Sequence, residues 1–102
     1  MDKIEQKICD IIDAHRDELI AFGEDLWTHA ELGFQEFRTA EKFAEKMKGL
    51  GLRTQEGLAV TGVKSYLKDD AHGPTVCLMG EFDGLPIPTH AYANPETGAA
   101  HC

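Results

Sequence analysis

The spacing of apolar side chains changes period once along this chain, near residue 50, and that change restricts the fold more than any other feature. Ile4, Ile8, Ile11, Ile12, Leu19, Phe22 and Leu26 recur at intervals of three, four or seven. That stripe predicts a long amphipathic helix over residues 2 to 29. A second helix fits residues 38 to 49, with Ala40, Phe43, Ala44, Met47 and Leu50 inward. Thr39 is the expected cap at its start, and Gly49 or Gly51 at its end. Beyond Leu52 the period becomes two. Residues 52 to 55 suit a short strand, and in Thr61 to Lys68 the residues Val63, Ser65 and Leu67 alternate with Lys64, Tyr66 and Lys68. Thr75-Val76-Cys77-Leu78-Met79 is continuously apolar and reads as a strand buried on both faces. The expected class is α/β, two N-terminal helices followed by about three strands.

A chain of 102 residues holds one modest domain. Eighteen acidic residues against ten basic ones give a formal charge of -8. No clustered Lys and Arg are present to displace counterions from phosphates or anionic lipid, which disfavours nucleic-acid and membrane partners. The three cysteines (Cys9, Cys77, Cys102) lack a disulfide framework's even number, and the apolar surroundings of Cys9 and Cys77 suit buried thiols. No apolar run approaches the ~20 residues of a membrane span, and the acidic N-terminus lacks a signal peptide's regions, so the cytoplasm is expected. His15 on the first stripe and Trp27, the one tryptophan, read as packing residues. Asp69 to Pro74 reads as a turn with His72 exposed, and residues 84 to 102 as an irregular tail.

Chemistry concentrates in Gly80-Glu81-Phe82-Asp83-Gly84-Leu85-Pro86 and in Ala99-Ala100-His101-Cys102. In open α/β sheets, functional groups gather just past the carboxyl ends of strands. Glu81 and Asp83 stand there, two residues apart, facing one way if the strand continues through them. Paired carboxylates in that place can ligate a metal or orient a ligating imidazole. Acidic residues also follow buried strands simply to meet water, and spacing alone favours that plainer account.

The order of motifs resembles the N-terminal part of the aminoacylase-type, metal-dependent amidohydrolases, within the wider zinc exopeptidase superfamily. The resemblance runs through Ala30-Glu31-Leu32-Gly33-Phe34, Gly49-Leu50-Gly51-Leu52, Val60-Thr61-Gly62-Val63, Gly80 to Pro86 and Asn94 to His101. It implies a partial zinc-exopeptidase-like catalytic domain over residues 1 to 102, without the lid or dimerisation domain and the C-terminal half. It implies a parent enzyme that cleaves the amide of small-molecule N-acyl amino acids. Two divalent ions, zinc or manganese, would polarise the carbonyl and activate a water. Asp83 matches the aspartate that orients a ligand near the metals. Glu81 stands where the wider superfamily carries a ligating histidine and this branch an acidic residue. His101 matches the first histidine of a His-x-Cys-Gly-His segment and Cys102 its variable position. A second alignment, with one residue deleted, makes Cys102 the ligand thiolate.

Glu81, His101 and Cys102 are thus the candidate metal residues and Asp83 the candidate catalytic one, with the main ligands expected past residue 102. The chain alone is expected to be inactive and to hold no metal stably. The competing expectation is a non-catalytic subunit that self-associates, or pairs with another chain, through an open sheet edge. A weaker one is a metal-binding module using His101, Cys102 and one carboxylate.

Overall fold

The computed structural model describes residues 1–68 and 72–101. Three helices come first: α1 (Lys3–Ala14), α2 (Arg16–Thr28) and α3 (Phe37–Gly49). Two small sheets follow, one of β1 (Arg53–Leu58) with β2 (Gly62–Tyr66), the other of β3 (Leu85–Pro86) with β4 (Ala99–Ala100), and both are antiparallel. The mixed α/β class expected from the change of period is therefore the observed one.

The long first helix is divided at His15, which ends α1 and precedes α2. Its N–H is shared between the carbonyls of Ile11 and Ile12 at 3.2 and 3.1 Å, a tightening of the last turn. Asp2 starts α1 with a capping box. Its carboxylate accepts from the N–H groups of Ile4 and Glu5 at 2.7 and 2.9 Å, while the Glu5 carboxylate accepts from the Asp2 N–H at 2.7 Å. The stripe beneath these caps is not a core. Ile4 is 72% exposed, Ile8, Ile11, Ile12 and Leu19 are about half exposed, only Phe22 and Leu26 are half-buried, and His15 is exposed beside Glu18.

Helix α3 ends as the sequence leads one to expect. Gly51 takes φ 75°, its N–H donates to the carbonyl of Lys48 at 2.9 Å, and the Leu52 N–H reaches that of Met47 at 3.2 Å. This is a Schellman closure, which needs a left-handed residue at Gly51. Leu50, expected inward, is 64% exposed. The start departs from expectation too. Thr39 is inside the helix, and the flanking Glu36 makes no capping bond of its own. The orphan N–H groups of Arg38 and Thr39 go instead to the Glu31 carboxylate.

The β1–β2 hairpin packs against α3, with Thr54 and Ser65 joined across it at 3.0 Å. Its turn carries Ala59 at φ 46° and Val60 at φ 82°, a left-handed backbone that a β-branched residue resists. A Cβ on Gly62 would fall 2.5 Å from the Leu58 carbonyl oxygen, so glycine is needed where the turn closes. Val60 is 57% exposed and gives up little burial if replaced. Val60→Asn, which tolerates this conformation, should therefore stabilise the protein by about 1 kcal/mol. A rise in the thermal midpoint checks this; an unchanged or lower midpoint refutes it.

Two expectations about the second half are corrected. Thr75 to Met79 forms no ladder and is not buried; Leu78 is 99% exposed. A two-faced apolar strand is stable only with neighbours on both edges and layers on both faces, and the described residues supply none. Cys9 and Cys77 are likewise exposed rather than buried. The tail, read as irregular, instead contributes β3 and β4, with Leu85 opposite Ala100 and Pro86 opposite Ala99. His72 is exposed as expected, whereas Asp69 to Ala71 of that turn lie outside the described residues.

What is buried is small and polar as much as apolar. Among the described residues Ala30, Ala44, Ala99 and Ala100 are the buried hydrophobic ones, and Glu36, Thr39, Thr61 and Asn94 the buried polar ones. Each of these four polar side chains is hydrogen-bonded, as burial demands. Thr61, for example, donates to the Glu36 carboxylate at 2.7 Å. Among the described residues no helix is long and apolar enough to cross a membrane.

Candidate functional site

Three distant segments meet around Ala30. Gly84 donates its N–H to the Glu31 carbonyl at 2.7 Å, and a parallel bridge joins Leu32 to Gly84. The Ala30 carbonyl accepts from Asn94 Nδ2 at 3.1 Å and from Thr97 Oγ1 at 2.6 Å. Asn94 also ties its own loop. Its N–H donates to the Ala99 carbonyl, its carbonyl accepts from Gly98, and its side-chain oxygen accepts from the Glu96 N–H. Gly98, at φ 69°, completes the reversal that lays β4 along β3.

This junction positions the residues singled out from sequence. Glu81 and His101 line one open cleft of about 220 Å³, with Gly23, Leu26, Trp27, Thr39 and Phe82. Trp27 Nε1 donates to the His101 carbonyl at 3.3 Å, fixing one wall, and its ring lies 4.5 Å from that of Tyr92. Phe82 also lines the cleft, and its ring lies 5.3 Å from that of Phe43. Trp27, read from sequence as a packing residue, is therefore also a cleft residue. A larger groove of about 410 Å³ between α2 and α3 holds none of the sequence-identified residues; the Lys46–Glu18 ion pair spans it.

Asp83 does not share the cleft. Residues 81 to 83 are not in a ladder, so the alternation that would have aligned Asp83 with Glu81 is absent. Its carboxylate lies against the turn at Gly33, where an added Cβ would be 3.9 Å from Asp83 Oδ2. Cys102 lies outside the described residues. Among the described residues no three His, Cys, Asp or Glu side chains gather as a metal site would require. Glu81 and His101 offer two donors to one cleft, fewer than the three protein ligands of a catalytic zinc site. The described residues therefore do not complete a site for a metal.

Sequence reasoning missed the groups that hold the junction. The Glu31 carboxylate accepts three hydrogen bonds, from Arg38 N at 3.1 Å and from Thr39 N and Oγ1 at 2.7 Å each. Beside it, Asp25 on α2 bonds Arg38 Nη2 at 2.7 Å and lies 3.5 Å from His29 Nδ1. The Asn-Pro and Gly of residues 94 to 98 were a legible turn signal. Nothing local in sequence marks Glu31 as a partner for a helix start several residues away.

The Arg38 hydrogen bond is the main cause holding the Asp25 carboxyl below its usual range, against a smaller opposing effect of burial. A carboxyl depressed in the folded state stabilises above its unfolded pKa, and that contribution is lost as pH falls through the folded value. Stability should therefore decline below about pH 4, the ordinary aspartate range. Both side chains are about one-third exposed (Arg38 33%, Asp25 35%), so screening keeps the effect modest. Urea titrations at pH 3 and pH 7 should show Asp25→Asn reducing the difference; an unaltered difference counts against the pair.

No protein-family model matches the chain. Curated relatives do. A Bacillus subtilis protein assigned to the amidohydrolases is 29% identical over 101 residues, which is 96% of this chain and 26% of that protein. The N-acyl-L-amino acid amidohydrolase of Geobacillus stearothermophilus is 28% identical over 99 residues, 94% of this chain and 27% of that enzyme. One of the subunits of the p-aminobenzoyl-glutamate hydrolase of Escherichia coli is 28% identical over 86 residues, 83% of this chain and 18% of that polypeptide. The chain spans about a quarter of the length of the first two. No solved structure matches it.

Proposed function

We propose that this chain, a homologue of the amidohydrolases over part of their length, supplies one portion of an enzyme that hydrolyses the amide bond of N-acyl amino acids. The observation that carries the reading is the junction at Ala30. The segments that resemble the aminoacylase-type enzymes, Ala30 to Phe34, Gly80 to Pro86 and Asn94 to His101, come together in space although they are far apart in sequence. Similarity along 94% of the chain to an N-acyl-L-amino acid amidohydrolase supports the same substrate class.

In this reading Asp83 is the catalytic-site carboxylate and Glu81 and His101 are candidate metal residues, as is Cys102 on its sequence alone, since it lies outside the described residues. Zinc or manganese belongs to an intact hydrolase whose remaining ligands lie elsewhere. The chain by itself is expected to release no amino acid from such substrates.

A chimera tests this. The 102 residues replace the matched segment of the Geobacillus enzyme, and release of amino acid from N-acetyl amino acids is measured with zinc or manganese. The expected result is a metal-dependent hydrolase that Asp83→Asn inactivates. A folded but inactive chimera, or release by the 102-residue chain alone, overturns the reading.

The exposed Thr75 to Met79 segment favours a second reading, a non-catalytic role in which that segment adds to a sheet of another copy or chain. Light scattering on the eluting chain tests the self-pairing: a monomer at all concentrations counts against this reading.

A further inference from the structure

Helix α1 is an arm that buries nothing within its own chain. The molecule measures 45 × 30 × 22 Å, with a radius of gyration of 16.0 Å. A compact domain of this length has a radius of about 13 Å. The arm is nonetheless well formed, held at its start by the Asp2–Glu5 capping box. At about 100° per residue, Ile4, Ile8, Ile11 and Ile12 fall on one side of it, within roughly a third of the circumference. All four are exposed. Such a stripe is complementary to the apolar face of another helix.

The order of residues along the arm fits a second copy of itself. Ile4 and Ile12 are equally far from Ile8. Two arms laid antiparallel about a two-fold axis at Ile8 therefore set Ile4 of each copy against Ile12 of the other, and Ile8 against itself. One flank of the stripe carries Lys3 and Lys7 before its middle and Asp10 beyond it. This symmetry lays like flank on like flank, so Lys7 of each copy lies beside Asp10 of the other, and the four charges cancel near the axis. Antiparallel packing also brings opposite ends of the two helix dipoles together. It leaves the two bodies, each beginning at α2, at opposite ends of the contact.

From this complementarity we propose that α1 is a dimerisation arm, pairing antiparallel with α1 of a second copy of this chain about an axis at Ile8. The inference is independent of the amidohydrolase reading, and its surface is separate from the Thr75 to Met79 segment.

Sedimentation equilibrium on the 102-residue chain should show a concentration-dependent dimer. Ile8→Glu, which sets two carboxylates against each other on the axis, should leave a monomer at every concentration. Its helix content and thermal midpoint should match those of the unaltered monomer, because Ile8 fills no core in its own chain. Lys7→Glu should weaken the dimer about 3- to 10-fold. Adding Asp10→Lys to that variant should restore the original dissociation constant, which a parallel pair would not do. Leu78→Glu, in the other exposed segment, should leave dimerisation unchanged. A monomeric unaltered chain, a dimer that Ile8→Glu leaves intact, or one that Leu78→Glu abolishes overturns the arm contact.

Cross-linking checks the register. Helix axes about 8–10 Å apart, with Cα atoms on cylinders of about 2.3 Å radius, bring the two position-8 Cα atoms within about 4–6 Å, a span that a disulfide bridges. With Cys9, Cys77 and Cys102 replaced by serine, Ile8→Cys should oxidise to a covalent dimer, and Lys3→Cys, five residues from the axis, should not. Equal cross-linking at both positions, or none at position 8, overturns the proposal.

Discussion

Glu31→Ala should destabilise the protein by about 2–4 kcal/mol, lowering its thermal midpoint by at least ~10 °C. The carboxylate does the work of a helix cap from outside the helix. It satisfies the N–H groups of Arg38 and Thr39 in the first turn of α3 and the Thr39 hydroxyl as well. Thr39 is only 2% exposed, so water cannot replace the lost partner without opening the structure. Bonds to a charged acceptor are worth more than neutral ones, and a negative charge at a helix start also meets the positive end of its dipole. Glu31→Gln keeps one acceptor oxygen and should recover part of the loss. Urea denaturation of the three proteins provides the measurement. A loss below about 0.5 kcal/mol for Glu31→Ala, the level of an ordinary surface substitution, would refute the role.

The second large effect is expected at Gly84, where Gly84→Ala should cost about 3 kcal/mol. A Cβ there would meet the Ala100 carbonyl oxygen at 3.0 Å, its carbon at 3.2 Å and the Ala30 methyl at 3.2 Å. Two of these neighbours are backbone, in β4, and the third is a methyl with no rotamer to escape into. Overpacking of this kind costs about 1–3 kcal/mol, and the upper end applies because relief requires β3 and β4 to separate. Gly23→Ala, in the middle of α2 with nothing within 4 Å of the added methyl, is the control and should stabilise. If both substitutions behave alike, the close approach at Gly84 is not what holds the junction.

The helical half was legible because periodicity and punctuation are local properties. The stripe and the glycine closure at Gly51 each involve residues within one or two turns of one another. The same locality explains the errors. Apolar spacing in Ile4 to Leu26 and in Thr75 to Met79 tells which faces seek burial, not whether anything is present to bury them, and here Ile4 to Leu19 and the later segment remain exposed while only Phe22 and Leu26 are half-buried. The two-residue strands β3 and β4 are too short to carry a period. For the site, sequence singled out Glu81, Asp83 and His101 but placed Glu81 and Asp83 together through an alternation that needs a paired strand. Without the pairing, His101 shares the cleft with Glu81 and Asp83 turns to Gly33. Glu31, Asn94 and Thr97 stood in the motifs that carry the resemblance, but their structural roles were not legible because those roles lie in partners distant along the chain.

That distance has a kinetic consequence. The Asn94 and Thr97 bonds to the Ala30 carbonyl close loops of 64 and 67 residues. Helix α3 and the β1–β2 hairpin, by contrast, lie next to each other in sequence and pack directly. The entropy of closing a loop rises with its length, and contacts of high sequence separation slow folding. The chain should therefore assemble in two stages, the α3 hairpin unit first and the knot around Ala30 last. On unfolding the order reverses, with the knot opening first. In native-state hydrogen exchange, the amides of Gly84, Asn94 and Gly98 should exchange through a lower-energy opening than those of Ala40 and Ser65.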